Sequence, residues 1–160
     1  MDSLPISEWL PFVTMDWLIL GGLVALVGID SLRSGSRRAA ALALAFPIAA
    51  LLHISIGSAR GVGELVVSLG ATGQTIAFLV LALVLFFSFT RFTDSYDGGG
   101  FLHAALVGVA TTVVVIVSWL SVPPLLEFWQ PNAVIIALFG ETYRFWWLFA
   151  GLVTLSFVRK

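Results

Sequence analysis

Polarity along this chain changes over stretches of about twenty residues, not every second or fourth position. Residues 65–90 and 104–126 contain no ionisable side chain at all. A helix needs about 20 mostly apolar residues to cross the hydrocarbon core of a bilayer, so each of these runs predicts one crossing. Extending the same pattern along the chain predicts five spans, at about residues 11–29, 39–56, 74–92, 102–120 and 143–158. Pro11 suits the first turn of a helix, where its missing N–H has no partner to lose, and Asp16 falls in the outer part of that first helix. Pro47 lies inside the second, where it removes a backbone donor and predicts a kink that neighbouring helices can accommodate. Val122, Pro123 and Pro124 stop the fourth. Two further pieces, about 61–70 and 132–140, are too short or too mixed to span and are expected to lie in the interface or re-enter it. No internal repeat supports an inverted-repeat carrier.

Composition supports the same class. Of 160 residues, 59% are hydrophobic and only 11% charged, with a mean hydropathy of +1.05; a soluble domain carries about 25% charged residues. The expected architecture is therefore all-α, a polytopic transmembrane bundle of four to five spans in a single domain, with the lipid bilayer as its first partner. The chain has no cysteine, which removes disulfides, thiolate catalysis and Cys-ligated metals. Asp2 and Glu8 precede the first apolar run with no base beside them. A secretory signal begins with positive charge, so the first helix is expected to be retained. A net charge of −1 offers no basic patch for phosphodiesters, and no nucleic-acid role is expected.

The bases set an expected orientation. With five crossings, Arg33, Arg37, Arg38, Arg91, Arg159 and Lys160 share one face, leaving only Arg60 and Arg144 on the other. The positive-inside rule then places the N-terminus outside and the C-terminus in the cytoplasm. All six tryptophans, Trp9, Trp17, Trp119, Trp129, Trp146 and Trp147, fall at the outer ends of their segments under this topology. Indole favours that boundary, with its ring in lipid and its N–H near water.

Candidate chemistry is sparse. His53 and His103 invite a bis-histidine haem, but one lies deep in the second segment and the other starts the fourth. At 1.5 Å per residue they differ by about 20 Å in depth, whereas two axial ligands share one iron. Neither a cofactor nor a metal is expected. Asp30 and Arg33 have the i, i+3 spacing of a local ion pair. Asp94 and Asp97, among the glycines of 98–100, lack the further ligands and closing Glu of a calcium loop. Gly21, Ala25 and Gly28 form a row of small residues on the first helix, and Ala104, Gly108 and Thr112 form another on the fourth. Such rows let helix backbones approach closely. Thr111, Thr112 and Ser118 are expected to bond to carbonyls of their own helix. Glu141 and Arg144 form a candidate charge pair. A span starting at Ala133 would bury them; one starting at Tyr143 would leave Arg144 at the headgroups, with Phe145, Trp146 and Trp147 in an aromatic belt. The latter is the expectation. No nucleophile, base and orienter set converges, and no catalytic residue is assigned.

The residues Met15, Asp16, Trp17, Leu18 and Ile19, followed by Asp30-Ser31-Leu32-Arg33-Ser34-Gly35-Ser36-Arg37-Arg38 and an alanine- and leucine-rich second helix, resemble the colicin V production protein (CvpA) family of small bacterial inner-membrane proteins. Residues 75–81 of the third segment and the Gly108 region of the fourth are similar in character. Ser34 separates Arg33 from Gly35 where the family has an adjacent Arg-Gly. The resemblance implies a multi-pass protein of the bacterial inner membrane linked to colicin export and envelope physiology, and brings no catalytic residues. The expected function is a non-catalytic envelope or accessory protein. It would act through its small-residue faces and the basic cytoplasmic turn Arg33, Arg37 and Arg38, with a membrane-protein partner or a second copy of itself. The alternative from another class is a transporter or channel subunit that forms a pathway only as an oligomer.

Overall fold

The computed structural model describes residues 15–56, 63–92 and 100–158. Among these, the regular structure is entirely helical, in the order α1 (Met15–Ser34), α2 (Arg37–Ile56), α3 (Gly63–Ser68), α4 (Gly70–Phe92), α5 (Phe101–Leu120), α6 (Pro123–Leu126), α7 (Ala133–Phe139) and α8 (Arg144–Val158). Four of them, α1, α2, α4 and α5, are long and apolar enough to cross a membrane. The bent pair α7 and α8 makes a fifth span if the two helices count as one. Helices suit this sequence because each one satisfies its own backbone groups, as the absence of water in hydrocarbon demands.

The first helix is longer than the apolar run alone predicts, ending at Ser34 and not near residue 29. Residues 11–14 lie outside the described residues. Gly35 adopts φ 72°, a left-handed conformation that ends a helix without the steric penalty of a Cβ. Only Gly35 and Ser36 therefore separate α1 from α2. The basic cluster expected in a loop is instead helical, with Arg33 in the last turn of α1 and Arg37 and Arg38 opening α2. α2 continues unbroken through Pro47. Gly70, at φ 67°, turns the chain between α3 and α4, so α4 starts four residues before the expected position 74.

α5 is the axis of the bundle. It packs on α1, α2 and α8, and at its end on α6 and α7. Of its membrane-length window, 61% is buried, against 17% for α4, which packs chiefly on α2. Three apolar clusters join these helices. Ala49 and Ala50 of α2 meet Phe78 and Ala82 of α4, with Val122 and Leu125 beneath. Leu20, Ile116, Val117, Ile135 and Phe139 join α1, α5 and α7. Val27, Ala39 and Val107 join α1, α2 and α5.

Small side chains make this packing possible. In lipid the apolar effect does not drive helices together, so close backbone approach and dispersion must do so. Ala41, Ala45 and Ala49 recur at i, i+4 and i+8 on α2 and are fully buried. On the outside, Ile76, Leu79, Val80, Leu83, Val84 and Phe87 form an exposed apolar stripe along α4. Such a stripe exceeds what a water-soluble surface tolerates and fits hydrocarbon or another helix.

Candidate functional site

The two ends of the bundle differ in chemistry. One end gathers the start of α1, the end of α5, α6, α7 and the start of α8, and carries Trp17, Trp119, Trp129, Trp146 and Trp147. Here the Asp16 carboxylate accepts the Trp129 indole N–H at 2.9 Å on one oxygen and the Asn132 backbone N–H at 2.9 Å on the other. Asn132 in turn caps α7, its side-chain oxygen accepting the Ile135 N–H at 2.9 Å. A carboxylate at the first turn of α1 thus holds the start of α7, more than a hundred residues along the chain, against that helix. Trp119 donates to the Trp129 carbonyl at 3.4 Å, and Trp147 donates to the Leu138 carbonyl at 2.7 Å. These three indoles are intramolecular fasteners, whereas Trp146 is exposed. The aromatic end combines both uses of tryptophan.

The opposite end carries Arg33, Arg37, Arg38 and Arg91. Arg37 donates through Nε and Nη2 to the Thr90 carbonyl, tying the start of α2 to the end of α4. Arg38 pairs with Asp30 at 3.1 Å, and Ser34 also donates to Asp30 at 3.4 Å. The expected Asp30–Arg33 pair gives way to Asp30–Arg38 because the tight Gly35 turn brings the first turn of α2 beside the last turns of α1. This pair is exposed, and such pairs contribute about 0–1 kcal/mol.

The small-residue rows meet only in part. A Cβ added to Gly108 would lie 2.6 Å from the Val24 carbonyl oxygen and 3.3 Å from the Gly28 nitrogen; one added to Gly28 would lie 3.4 Å from the Ala104 carbonyl. Gly28, Ala104 and Gly108 are thus the close crossing of α1 and α5. Thr112 is buried, while Gly21 has open space around its Cβ position and Ala25 is exposed. The first-helix row points partly outward because α5 crosses only its second half at closest range. Ser118 bonds to the Val114 carbonyl at 2.7 Å, as is common in apolar helices. The buried hydroxyls of Thr111 and Thr112 do not, and have no partner among the described residues.

Glu141 and Arg144 do not pair. Among the described residues the one ion pair is Arg38–Asp30. Glu141 is exposed; Arg144 is half-buried with its Nε unpartnered. Their helix breaks between α7 and α8 with a 72° bend, so no straight span starts at Ala133. His53, near the aromatic end of α2, packs edge-on against Phe78 at 6.0 Å, and His103 begins α5 at the arginine end. The two imidazoles sit at opposite ends of the bundle. Among the described residues, no three His, Cys, Asp or Glu side chains gather as a metal site. Asp94 and Asp97, like Trp9, Arg60, Arg159 and Lys160, lie outside the described residues.

Two kinds of concavity remain. At the aromatic end, a wholly apolar cleft of ≈ 340 Å³ lies between α1 and α5, lined by Ile19, Leu23, Phe46, Val115 and Trp119 among others. At the arginine end, a more polar groove of ≈ 370 Å³ is lined by Ser34, Arg37, Arg38, Phe86, Phe87 and Thr90. The chain matches no protein-family profile, no curated protein and no solved structure.

Sequence reasoning passed over three contributors. Asp16 looks like a boundary residue until the fold brings Trp129 and Asn132 to it. Gly151, whose Cβ would meet Val114 Cγ2 at 2.6 Å and the Ala110 carbonyl at 3.3 Å, is the close crossing of α8 and α5. A lone glycine in an apolar helix gives no row to detect. The Ala41, Ala45 and Ala49 row was visible as spacing, but was obscured by the alanine richness of the whole helix.

Proposed function

We propose that the chain is a multi-pass protein of the bacterial inner membrane that acts as a non-catalytic accessory component, through helix contact with a membrane partner or a second copy. The observation that carries this reading is the exposed apolar face of α4, whose membrane-length window is the least buried of the four long helices at 17%. Many of the polar side chains near the bundle ends fasten one helix to another: Asp16 to Trp129 and Asn132, Arg37 to Thr90, Arg38 to Asp30 and Thr75 to the Pro124 carbonyl. Away from its own two fastenings, α4 exposes Ile76, Leu79, Val80, Leu83, Val84 and Phe87. In a bilayer such a stripe meets lipid chains or packs against a partner helix through dispersion contacts. The CvpA-like reading rests on the residues around the turn between α1 and α2.

The proposed orientation has the arginine end in the cytoplasm and the aromatic end outside. It follows from the positive-inside rule, and the shared placement of Arg33, Arg37, Arg38 and Arg91 at one end supports it.

A photoreactive residue at Leu83, in the middle of the stripe, tests the function. Cross-linking in native membranes should yield a discrete protein adduct, either to another membrane protein or to a second copy, and a photoreactive residue at Leu26 on α1 serves as the comparison. Adducts to lipid alone from Leu83 would remove the support for a protein contact at this face. Ion currents from the purified protein in liposomes would favour the channel reading instead.

A further inference from the structure

The groove at the arginine end continues into an apolar furrow. Its polar part is lined by Ser34, Arg37, Arg38, Phe86, Phe87 and Thr90. A second hollow, of ≈ 200 Å³, is lined by Leu26, Val27, Asp30, Arg38, Ala39, Leu42 and Phe86. Arg38 and Phe86 belong to both, so the two are contiguous. The shape follows from the packing: α1 and α4 both rest on α2, which leaves α2 as a floor between two walls. Charge and apolarity are therefore separated along one channel, with guanidinium groups at its mouth and aliphatic and phenyl groups deeper along the helices.

We infer that this groove binds one anionic glycerophospholipid, with its phosphate at Arg37 and Arg38 and part of an acyl chain along Leu26, Val27, Leu42 and Phe86. The lining carries two guanidinium groups against the single carboxylate of Asp30, leaving a net positive charge. A guanidinium has five N–H donors. Arg37 uses Nε and Nη2 on the Thr90 carbonyl, and that bond fixes its plane while leaving further donors. Arg38 contributes Nη1 to Asp30 and also retains donors. Planar, multiply donating cations suit phosphate oxygens better than a point charge does. Both arginines open α2, where the helix dipole also favours an anion. Basic pockets between membrane helices are a recognised setting for anionic headgroups. A free phosphate would satisfy the mouth but would gain nothing from the furrow.

This inference rests on the membrane reading proposed above, and the experiment separates the two. Alkaline extraction of native membranes addresses the membrane reading: recovery in the soluble fraction would overturn it, whereas retention leaves the lipid site to be judged separately. The full chain, purified in neutral detergent, is then titrated with phosphatidylglycerol, with phosphatidylcholine of the same acyl chains, or with inorganic phosphate, and bound lipid is counted by native mass spectrometry alongside thermal stability. Phosphatidylglycerol should be retained in preference to phosphatidylcholine. Arg38→Gln should weaken that retention about fivefold, the equivalent of ~1 kcal/mol for one cation at an anionic surface, while Arg38→Lys, which keeps the charge but not the planar fork, should restore part of it. Arg38 is the informative position because Arg37 also fastens α2 to α4. Phe86→Ala should weaken both lipids and leave their ratio unchanged, and Arg144→Gln, at the other end, should alter neither. Equal retention of the two lipids, indifference to Arg38→Gln, or full stabilisation by inorganic phosphate alone would each overturn the proposal.

Discussion

At Gly108 a single methyl group decides whether two helices can cross. Its Cβ position lies 2.6 Å from a backbone oxygen of α1, and a backbone cannot swing aside as a side-chain terminus can. Gly108→Ala should therefore destabilise the bundle by about 1–3 kcal/mol, the usual cost of overpacking a close contact. Gly21→Ala, with nothing within 4 Å, should be close to neutral. Thermal unfolding of the two variants in the same detergent gives the comparison, and equal losses would mean that α1 and α5 do not cross at Gly108. Asp16 is the polar counterpart. Asp16→Ala leaves the Trp129 indole and the Asn132 N–H without their acceptor, a loss of about 1–3 kcal/mol. Asp16→Asn retains one acceptor oxygen and should lose less. Thermal unfolding ranks the three proteins, and the emission of Trp129 should shift with the loss of its hydrogen bond.

The joint between α7 and α8 is the clearest case in which an element differs from its local pattern. Residues 133–158 are apolar enough to suggest one long helix, yet the chain bends by 72° between Phe139 and Arg144. Asn132 fixes where α7 begins. Gly140 helps end it, since a Cβ there would lie 2.3 Å from the Ile136 carbonyl oxygen. Alone, α8 has 15 residues, about 22 Å at the helical rise, shorter than a typical hydrocarbon core. Gly140→Ala should strain the joint and lower the thermal midpoint, whereas Glu141→Gln, on an exposed side chain without an ion pair among the described residues, should change stability by less than about 0.5 kcal/mol. Measured side by side, a large loss from Glu141→Gln would mean that the carboxylate is buried in the native assembly.

For the molecule as a whole, the decisive quantity is which end faces which compartment. The natural chain has no cysteine, so single introduced thiols report on position without background. Gln130→Cys, at the exposed aromatic end, should react with an impermeant maleimide added outside intact cells. Arg33→Cys, exposed at the arginine end, should react only after the membrane is opened. The reverse pattern would invert the proposed topology while leaving the bundle intact. A positive-inside reading counts charges across the chain, and the structure brings four of those charges together at one end of the bundle, where their effect on insertion can add.

The helical class and the approximate positions of the long helices are legible in the sequence, because the length of an uncharged run and the requirement to satisfy the backbone within it are local properties. The sequence also placed Trp17, Trp119, Trp129, Trp146 and Trp147 at one end and Arg33, Arg37, Arg38 and Arg91 at the other, since alternating passes of similar length carry that pattern with them. Which small residues touch depends on how the helices cross. Gly28 and Gly108 meet while Gly21 faces open space, because helix crossing angles select one part of a row. The same holds for polar partners: Asp16 joins Trp129, and Asp30 takes Arg38 over Arg33, through geometry that the Gly35 turn and the α7 cap impose. The contiguous groove of Arg37, Arg38, Leu42 and Phe86 also belongs to the fold alone, since its walls come from α1 and α4 while its floor comes from α2.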